Sequence, residues 1–104
     1  METTQDIEVL RLGELEVLPR AALARVQGEP LILSVREFGV LVALARRAGR
    51  VVSREELYAD VWGGELRPAD RSVDVYVHKL RVKLDAALPG CQLIHTHFGF
   101  GYRV

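Results

Sequence analysis

The spacing of apolar and polar residues changes along the chain, from short apolar runs near its start to helical repeats in its middle. Between residues 7 and 33, apolar residues form short runs that Gly13, Pro19 and the stretch QGEP at 27–30 interrupt. Short apolar runs bounded by glycine and proline are typical of antiparallel strands. The pattern therefore predicts three or four short antiparallel strands in this part of the chain.

The middle of the chain carries two helical patterns, each preceded by a capping box. Ser34 is followed three residues later by Glu37, and Ser53 is followed in the same way by Glu56. In such a box the serine oxygen accepts a backbone N–H, and the glutamate accepts the N–H of the cap residue. Apolar residues then recur at helical spacing, and glycines follow each segment. We predict two capped helices joined by residues 49–52.

The segment 71–84 (RSVDVYVHKLRVKL) has features of both a strand and a helix, because valines alternate with polar residues near its start. As a strand, both of its faces would switch polarity halfway, so neither could be buried whole. At 100° per residue, four apolar residues fall within about 60° of one another and form one stripe. They are Val73, Val77, Leu80 and Leu84. The segment is therefore predicted to be a third helix, ended by Pro89-Gly90.

The face opposite this stripe is predicted to point away from the core. It carries two valines among cationic or titratable side chains: Arg71, Val75, His78, Lys79 and Val82, with Ser72 at its margin. After the helix, β-favouring residues surround a turn that contains Gly99 and Gly101, which predicts a hairpin. Sheet, two helices, a long loop, a third helix and a hairpin are the order of a winged helix-turn-helix, an α+β fold.

Length and composition fit one domain. A chain of 104 residues with 27% charged residues is long enough for a single hydrophobic core. We expect one domain over 1–104, with a flexible tail at 1–6, the sheet at 7–33, a three-helix core at 34–88 and the wing hairpin at 92–104. No apolar run approaches the ~20 residues that span a bilayer, and no signal-peptide pattern opens the chain. With one cysteine, Cys91, this predicts a cytoplasmic protein without a membrane partner.

The charges sum to zero but are distributed unevenly. Five of the six charged residues before residue 17 are acidic, whereas arginines cluster at 46, 47, 50 and 54, and cations recur at 79, 81 and 83. A helix with a free face fits the DNA major groove, which is about 12 Å wide, while a hairpin reaches the flanking backbone or minor groove. Lys79 is suited to a guanine edge and Val75 to a thymine methyl group.

Three stretches resemble the winged-helix effector domains of the OmpR/PhoB family of bacterial response regulators. They are LSVREFGVLVALARRAGRVVSREELYADVWGG, RSVDVYVHKLRVKL and IHTHFGFGYRV, and they lie between Leu33 and Val104. The resemblance implies sequence-specific binding to double-stranded DNA and regulation of transcription, in a two-component-type response regulator or a stand-alone regulator. We expect the phosphorylated aspartate of the family's receiver domain to lie outside these 104 residues.

The resemblance also implies roles for residues at matching positions. Phosphate contacts are expected from Trp62, Arg71, Ser72, Arg81, Thr96 and Tyr102, and base-facing positions are Val75, Tyr76, His78 and Lys79. His97 and Phe98 belong to the wing. The loop formed by Gly63, Gly64, Glu65, Leu66, Arg67, Pro68 and Ala69 matches a segment that touches RNA polymerase in the family. Members usually bind direct-repeat operators as dimers, and no cofactor is implied.

The sequence departs from the family in the wing and in the third helix. Phe98 stands where a basic residue commonly enters the minor groove, and His78-Lys79 stand where paired arginines are common. Lysine cannot make the forked contact of arginine, so we expect weaker or more pH-sensitive binding. The alternative function is a protein-interaction module that does not bind DNA, in which Val75 and Val82 meet a partner protein.

Several residues also have other interpretations. Trp62 is suited to partial burial because only its N–H is polar, and Tyr102 is suited to hairpin packing. His95 and His97 share a strand face near Cys91, but their spacing does not match a zinc site, so we expect no metal. Nucleotide loops and nucleophile–base motifs are absent from the sequence, so we expect no enzymatic activity.

Overall fold

The N-terminal part of the molecule is a four-stranded antiparallel sheet. A computed structural model describes residues 7–104, so the expected tail at 1–6 lies outside the described residues. The strands pair in chain order: β1 (Leu10–Leu12), β2 (Leu15–Leu18), β3 (Leu23–Val26) and β4 (Glu29–Pro30). Successive strand residues alternate between faces, and the inner face of β2 buries Leu15 and Val17 completely. The predicted sheet is confirmed, over a shorter range than 7–33.

Three helices follow the sheet: α1 (Val35–Ala45), α2 (Arg54–Val61) and α3 (Ser72–Ala87). Both predicted capping boxes are present. Glu37 N donates to Ser34 Oγ at 3.1 Å and Ser34 N donates to Glu37 Oε1 at 2.8 Å, while the equivalent bonds of Ser53 and Glu56 are both 3.0 Å. A capping box satisfies backbone donors that a helix start leaves unpaired, and here it sets where α1 and α2 begin.

The first helix ends earlier than the glycine that was expected to stop it. Helix α1 ends at Ala45, and tight turns then carry the chain to Gly49, whose φ is +89°. In these turns Arg47 N donates to Leu44 O at 3.1 Å and Ala48 N to Ala45 O at 3.2 Å. Such i to i−3 bonds satisfy carbonyls that the last helical turn leaves free. Gly49 therefore marks the end of the turns and not of the helix.

The stripe on α3 is buried as predicted. Its four residues are fully buried where α1 packs on α3, and they belong to the same core cluster as Leu15 and Val17 of β2. The rest of the core comes from the other two helices, the sheet and the α1–α2 connection: Leu15, Val17, Val40, Leu41, Leu44, Val52 and Leu57 are also fully buried. Burial of one whole side of α3 leaves its opposite side in solvent, and this division positions the candidate site.

The wing is a two-stranded hairpin, β5 (His95–His97) and β6 (Gly101–Arg103). It is attached to the body by a bridge in which Val52 N donates to Tyr102 O at 2.7 Å and Tyr102 N to Val52 O at 2.9 Å. Gly101, at φ +141°, packs so closely that a Cβ there would lie 2.0 Å from Val52 O. Only glycine fits this contact, which holds the wing beside the α1–α2 connection.

Among the described residues, no helix combines the length and apolar character that crossing a bilayer requires.

Candidate nucleic-acid interface

The outward side of α3 forms one continuous surface, which we call the groove face: Arg71, Val75, His78, Lys79 and Val82. All five side chains are exposed, opposite the buried stripe. This arrangement follows from the helical period, because residues three and four apart share a face. Of the four residues expected to face bases, Val75, His78 and Lys79 therefore lie on the groove face. Tyr76 lies at its edge and is half-buried.

Tyr76 belongs to an aromatic cluster between α2 and α3. Its ring meets Trp62 edge-on at 5.6 Å between centroids, and Trp62 stacks on Tyr58 at 5.4 Å with an interplanar angle of 5°. Arg36 lies 4.9 Å from the Trp62 ring, and Lys79 lies 4.7 Å from the Tyr76 ring. Cation–π and edge-on contacts each contribute about 0.5–1.5 kcal/mol. Trp62 is thus part of the packing, and Lys79 is held against the ring of its neighbour.

A small network caps the start of α3. Asp70 Oδ1 accepts hydrogen bonds from Ser72 N at 2.8 Å and from Ser72 Oγ at 2.5 Å. The hydroxyl bond, followed by the backbone bond, lowers the pKa of Asp70. Ser72 has a single O–H donor, so this hydroxyl can donate to a phosphate only after leaving Asp70. Sequence reasoning missed Asp70, although an aspartate two residues before a helix start signals an Asx turn.

Asp74 joins α2, α3 and the wing. Arg54 reaches it with Nε at 3.2 Å from Oδ1 and Nη2 at 3.0 Å from Oδ2, and Tyr102 donates its hydroxyl to Oδ1 at 2.6 Å. Arg71 Nε lies 3.5 Å from Oδ2. Burial, and then the bond to Asp74, raises the pKa of Tyr102 to about 12. The Tyr102 hydroxyl is therefore engaged by α3 within the fold.

Arg81 and Thr96, two expected phosphate ligands, contact each other. Arg81 Nη2 donates to Thr96 Oγ1 at 2.9 Å and to Ile94 O at 3.2 Å, which ties α3 to β5. A guanidinium has five N–H donors, so Arg81 retains donors that can meet a phosphate. Thr96 accepts from Arg81, and its own hydroxyl proton remains available.

The arginine cluster at 46, 47, 50 and 54 is paired with carboxylates throughout. Arg46 pairs with Glu8 at 2.7 Å and Arg47 with Asp60 at 2.7 Å. Arg50 pairs with Glu56 at 3.1 Å and Arg54 with Asp74 at 3.0 Å. The bond from Arg50, followed by the Ser53 N–H, lowers the pKa of Glu56 to about 2. The cluster is therefore largely neutralised within the fold.

Three cations of the α3 region, Lys83, Lys79 and Arg71, differ in how closely they pair with a carboxylate. Lys83 Nζ lies 2.7 Å from Oε1 of Glu37, which is buried in the core. Burial raises the pKa of Glu37, but the bonds from Lys83 and Ser34 outweigh it, so the pKa is lowered overall. Within residues 7–104, by contrast, Lys79 makes no ion pair, and the side chain of Arg71 is 75% exposed. The groove face therefore combines a cation without an ion pair, Lys79, and a largely exposed cation, Arg71, that has one long contact with Asp74.

The wing tip and the α2–α3 loop are both exposed. Phe98 and Phe100 lie in solvent at the tip, and His97 Nε2 accepts a bond from Arg103 Nε at 3.1 Å. In the described part of the chain, no three His, Cys, Asp or Glu side chains group as metal ligands. The loop 63–69 is exposed except for Leu66, which is half-buried. Its two glycines both have positive φ, which suits them to this sharp departure from α2.

Comparison with known proteins agrees with this architecture. The family described as "Transcriptional regulatory protein, C terminal" matches residues 28–104. The DNA-binding response regulator MtrA of Mycolicibacterium smegmatis is 39% identical over 97 residues, covering 92% of this chain and 42% of MtrA. The chain thus spans less than half the length of this relative.

Two solved structures are also similar. The DNA-binding domain of CpxR from E. coli has a TM-score of 0.85 and 35% identity, and the match covers 93% of this chain and 95% of that one. The RstA DNA-binding domain of Klebsiella pneumoniae, solved in complex with the RstA box, has a TM-score of 0.79 and 33% identity, with coverage of 92% and 95%. The family match extends from the β3–β4 turn to the last residue, and the chain belongs to the OmpR/PhoB-type winged-helix domains of transcriptional regulatory proteins.

Proposed function

We propose that this chain binds double-stranded DNA sequence-specifically and thereby regulates transcription, with α3 in the major groove and the wing on the flanking backbone or minor groove. The observation that carries the proposal is the groove face: an exposed helical side with Lys79 and Arg71, opposite a stripe that is fully buried. The similar RstA DNA-binding domain, solved in complex with the RstA box, supports DNA binding by this chain. Bases are read through Val75, Tyr76, His78 and Lys79.

Phosphate contacts divide into two groups in this proposal. Arg71 reaches phosphates directly because its side chain is extended into solvent, and Arg81 does so with the donors that Thr96 and Ile94 leave free. Thr96 offers its hydroxyl proton. The other three expected phosphate ligands are engaged in internal contacts: Trp62, Ser72 and Tyr102. In this proposal they act mainly by holding α3 and the wing in position.

Further parts of the proposal concern the whole protein. Residues 1–104 act as one non-enzymatic, cytoplasmic domain of a response regulator or stand-alone regulator. Two copies occupy a direct-repeat operator, and the loop 63–69 is the contact with RNA polymerase. Exposure of six of the seven loop residues supports that last assignment. Phosphorylation, if it controls the protein, acts through another domain.

A second candidate is a winged-helix module that binds a protein instead of DNA. It is favoured by the zero formal charge and by the exposed valines of the groove face, Val75 and Val82. In this case Val75→Asp abolishes partner binding, and the chain is not retained on a duplex column at low salt. The two functions therefore differ in an experiment that needs no knowledge of the operator.

The decisive experiment is affinity selection of random duplexes by the 104-residue chain, followed by sequencing. Sequence-specific binding enriches one motif, and the logarithm of the binding constant for it falls linearly with the logarithm of the salt concentration. Lys79→Ala relaxes the preference at one base pair, because a specific lysine contact contributes about 1–3 kcal/mol of discrimination. Arg50→Ala, which removes a paired arginine, is the matched control. Selection of no motif, or indifference to both salt and Lys79→Ala, would refute the proposal.

A further inference from the structure

The wing ends in two phenylalanines that lie in solvent. Phe98 is 88% exposed and Phe100 is 76% exposed, on either side of Gly99 in the β5–β6 turn. No other aromatic side chain in residues 7–104 is as exposed. Single exposed apolar residues are ordinary on protein surfaces, but apolar groups gathered at one point mark an interaction site. The tip therefore has the composition of a contact surface.

The tip stands on a fixed support. A backbone hydrogen bond of 2.8 Å from Phe100 N to His97 O closes the turn. Next to the turn, Gly101 packs against Val52 with no room for a Cβ, and the Val52–Tyr102 bridge attaches β6 to the body. A partner that meets the tip thus meets side chains whose backbone is already positioned, which lowers the entropy lost on binding.

The surroundings of the tip are suited to nucleic acid. Both phenylalanines border a cleft of about 390 Å³ between the wing and the start of α3, which Arg71 and Thr96 also line. Two carboxylates, Glu55 and Asp74, lie there as well, and Asp74 is neutralised by its ion pair with α2. A cation and a hydroxyl beside exposed rings complement a DNA strand, whose phosphates flank stacked bases and sugars.

The geometry points to an apolar wedge: Phe98 and Phe100 enter the minor groove beside the α3 site, partly unstack a base step and bend the duplex. This inference rests on the proposed DNA binding and specifies the part of the wing in it. Apolar side chains inserted between base steps kink DNA by roughly 20–90°. Pyrimidine–purine steps unstack most easily, so the wedge selects such a step at a fixed distance from the bases that α3 reads.

The test uses a duplex that the 104-residue chain selects from a random pool, with fluorophores at both ends for energy transfer. We expect the wild-type chain to bring the ends closer together. The double variant Phe98→Ala/Phe100→Ala leaves the duplex nearly straight and binds it about ten-fold more weakly, because aromatic burial is lost. It leaves the salt dependence unchanged, because no charge is removed. In its own selection the pyrimidine–purine step is no longer enriched.

A charged variant and a matched control sharpen the test. Phe98→Arg replaces a wedge by a cation, so the bend decreases while the salt slope steepens by about 1. The control is Ile32→Ala/Val35→Ala, which removes apolar side chains that are 78% and 87% exposed. These two residues line a cleft beside β4 and α1 that no wing or α3 residue borders. Affinity and bending are expected to stay unchanged in this control.

Three results would overturn the wedge, and they differ from one another. If the double alanine variant binds and bends DNA like the wild type, the wing does not act as a wedge although DNA binding stands. If that variant loses only self-association, measured by sedimentation, the tip docks on protein. If the wild-type chain selects no duplex at all, the proposed function itself fails and the wedge fails with it.

Discussion

The arginine cluster carries four cations and the groove face carries two, and the two regions use their cations differently. Each arginine of the cluster lies within 3.1 Å of a carboxylate oxygen. On the groove face Lys79 has no ion pair within residues 7–104, and Arg71 reaches only one carboxylate, at 3.5 Å, with most of its side chain in solvent. A count along the sequence ranks the cluster first, whereas in the fold its arginines are closely paired with carboxylates and the two groove-face cations are not.

This contrast explains how a chain with zero formal charge can still attract DNA. Phosphate binding depends on local positive potential and not on the net charge of the molecule. Pairing of the cluster cancels much of the acidic surface as well, because it consumes four carboxylates. On the groove face, by contrast, Lys79 has no carboxylate partner within residues 7–104, and Arg71 lies 3.5 Å from Asp74 with most of its side chain in solvent. Four experiments test this division of roles, beginning with the largest expected effect.

Asp74 is where the two regions meet, since it pairs with Arg54 of the cluster and Arg71 of the groove face. Asp74→Ala removes the acceptor of Arg54 and of the Tyr102 hydroxyl at once. We expect the free energy of unfolding in urea to fall by about 3 kcal/mol, because two buried or half-buried donors lose a charged partner. Asp85→Ala, at an exposed position on the same helix, is the control and changes stability by less than about 0.5 kcal/mol. Equal losses in the two variants would contradict the joining role of Asp74.

The two lysines of α3 offer a matched pair for the same question. Lys83→Ala leaves the carboxylate of Glu37 buried without its cation, so we expect a loss of about 2 kcal/mol in urea unfolding. Lys79→Ala removes only a cation–π contact at the surface, and its stability stays within about 1 kcal/mol of the wild type. If both variants unfold alike, then the distinction between structural and DNA-facing cations is wrong.

The raised pKa of the Tyr102 hydroxyl predicts that the fold loses stability at alkaline pH. Its pKa of about 12 in the fold lies above the ordinary value of 10.0, so the folded chain keeps this proton longer than the unfolded chain does. The protonated hydroxyl's contribution to the free energy of unfolding is complete below pH 10. It is lost as the pH rises from 10 to 12, by on the order of 2 kcal/mol. Urea titrations across this range should show a loss that is larger in the wild type than in Tyr102→Phe, by this amount. A parallel decline in both proteins would remove Tyr102 as its source.

The smallest effect concerns affinity for a selected duplex. Arg71→Ala should weaken binding about five- to ten-fold for all sequences alike and reduce the salt slope by about 1, because one phosphate contact disappears. Arg50→Ala removes a cation whose carboxylate partner stays behind, so it should leave the slope unchanged. Fluorescence anisotropy at several salt concentrations gives both values. Equal slopes for the two variants would show that pairing does not decide which cations bind DNA.

Much of the fold could be predicted because its signals are local. Each capping box spans four residues, and the α3 stripe needs only the helical period to separate its buried side from its free side. The free side then placed Val75, His78 and Lys79 correctly in solvent. The position of Tyr76 could not be predicted in this way. It lies at the edge of the groove face and packs edge-on against Trp62, a residue 14 positions earlier in the chain. No periodicity within α3 reveals that contact.

By itself, the sequence determined where α1 and α2 begin, which side of α3 is buried, and which family the chain resembles, because these depend on spacing between near neighbours. Only the tertiary structure decided which charged groups neutralise one another. Arg54 and Asp74 are 20 residues apart, and Lys83 and Glu37 are 46 apart. Coulomb attraction and hydrogen bonding act over a few ångströms in space, so their partners are known only once the chain has folded and brought distant elements together.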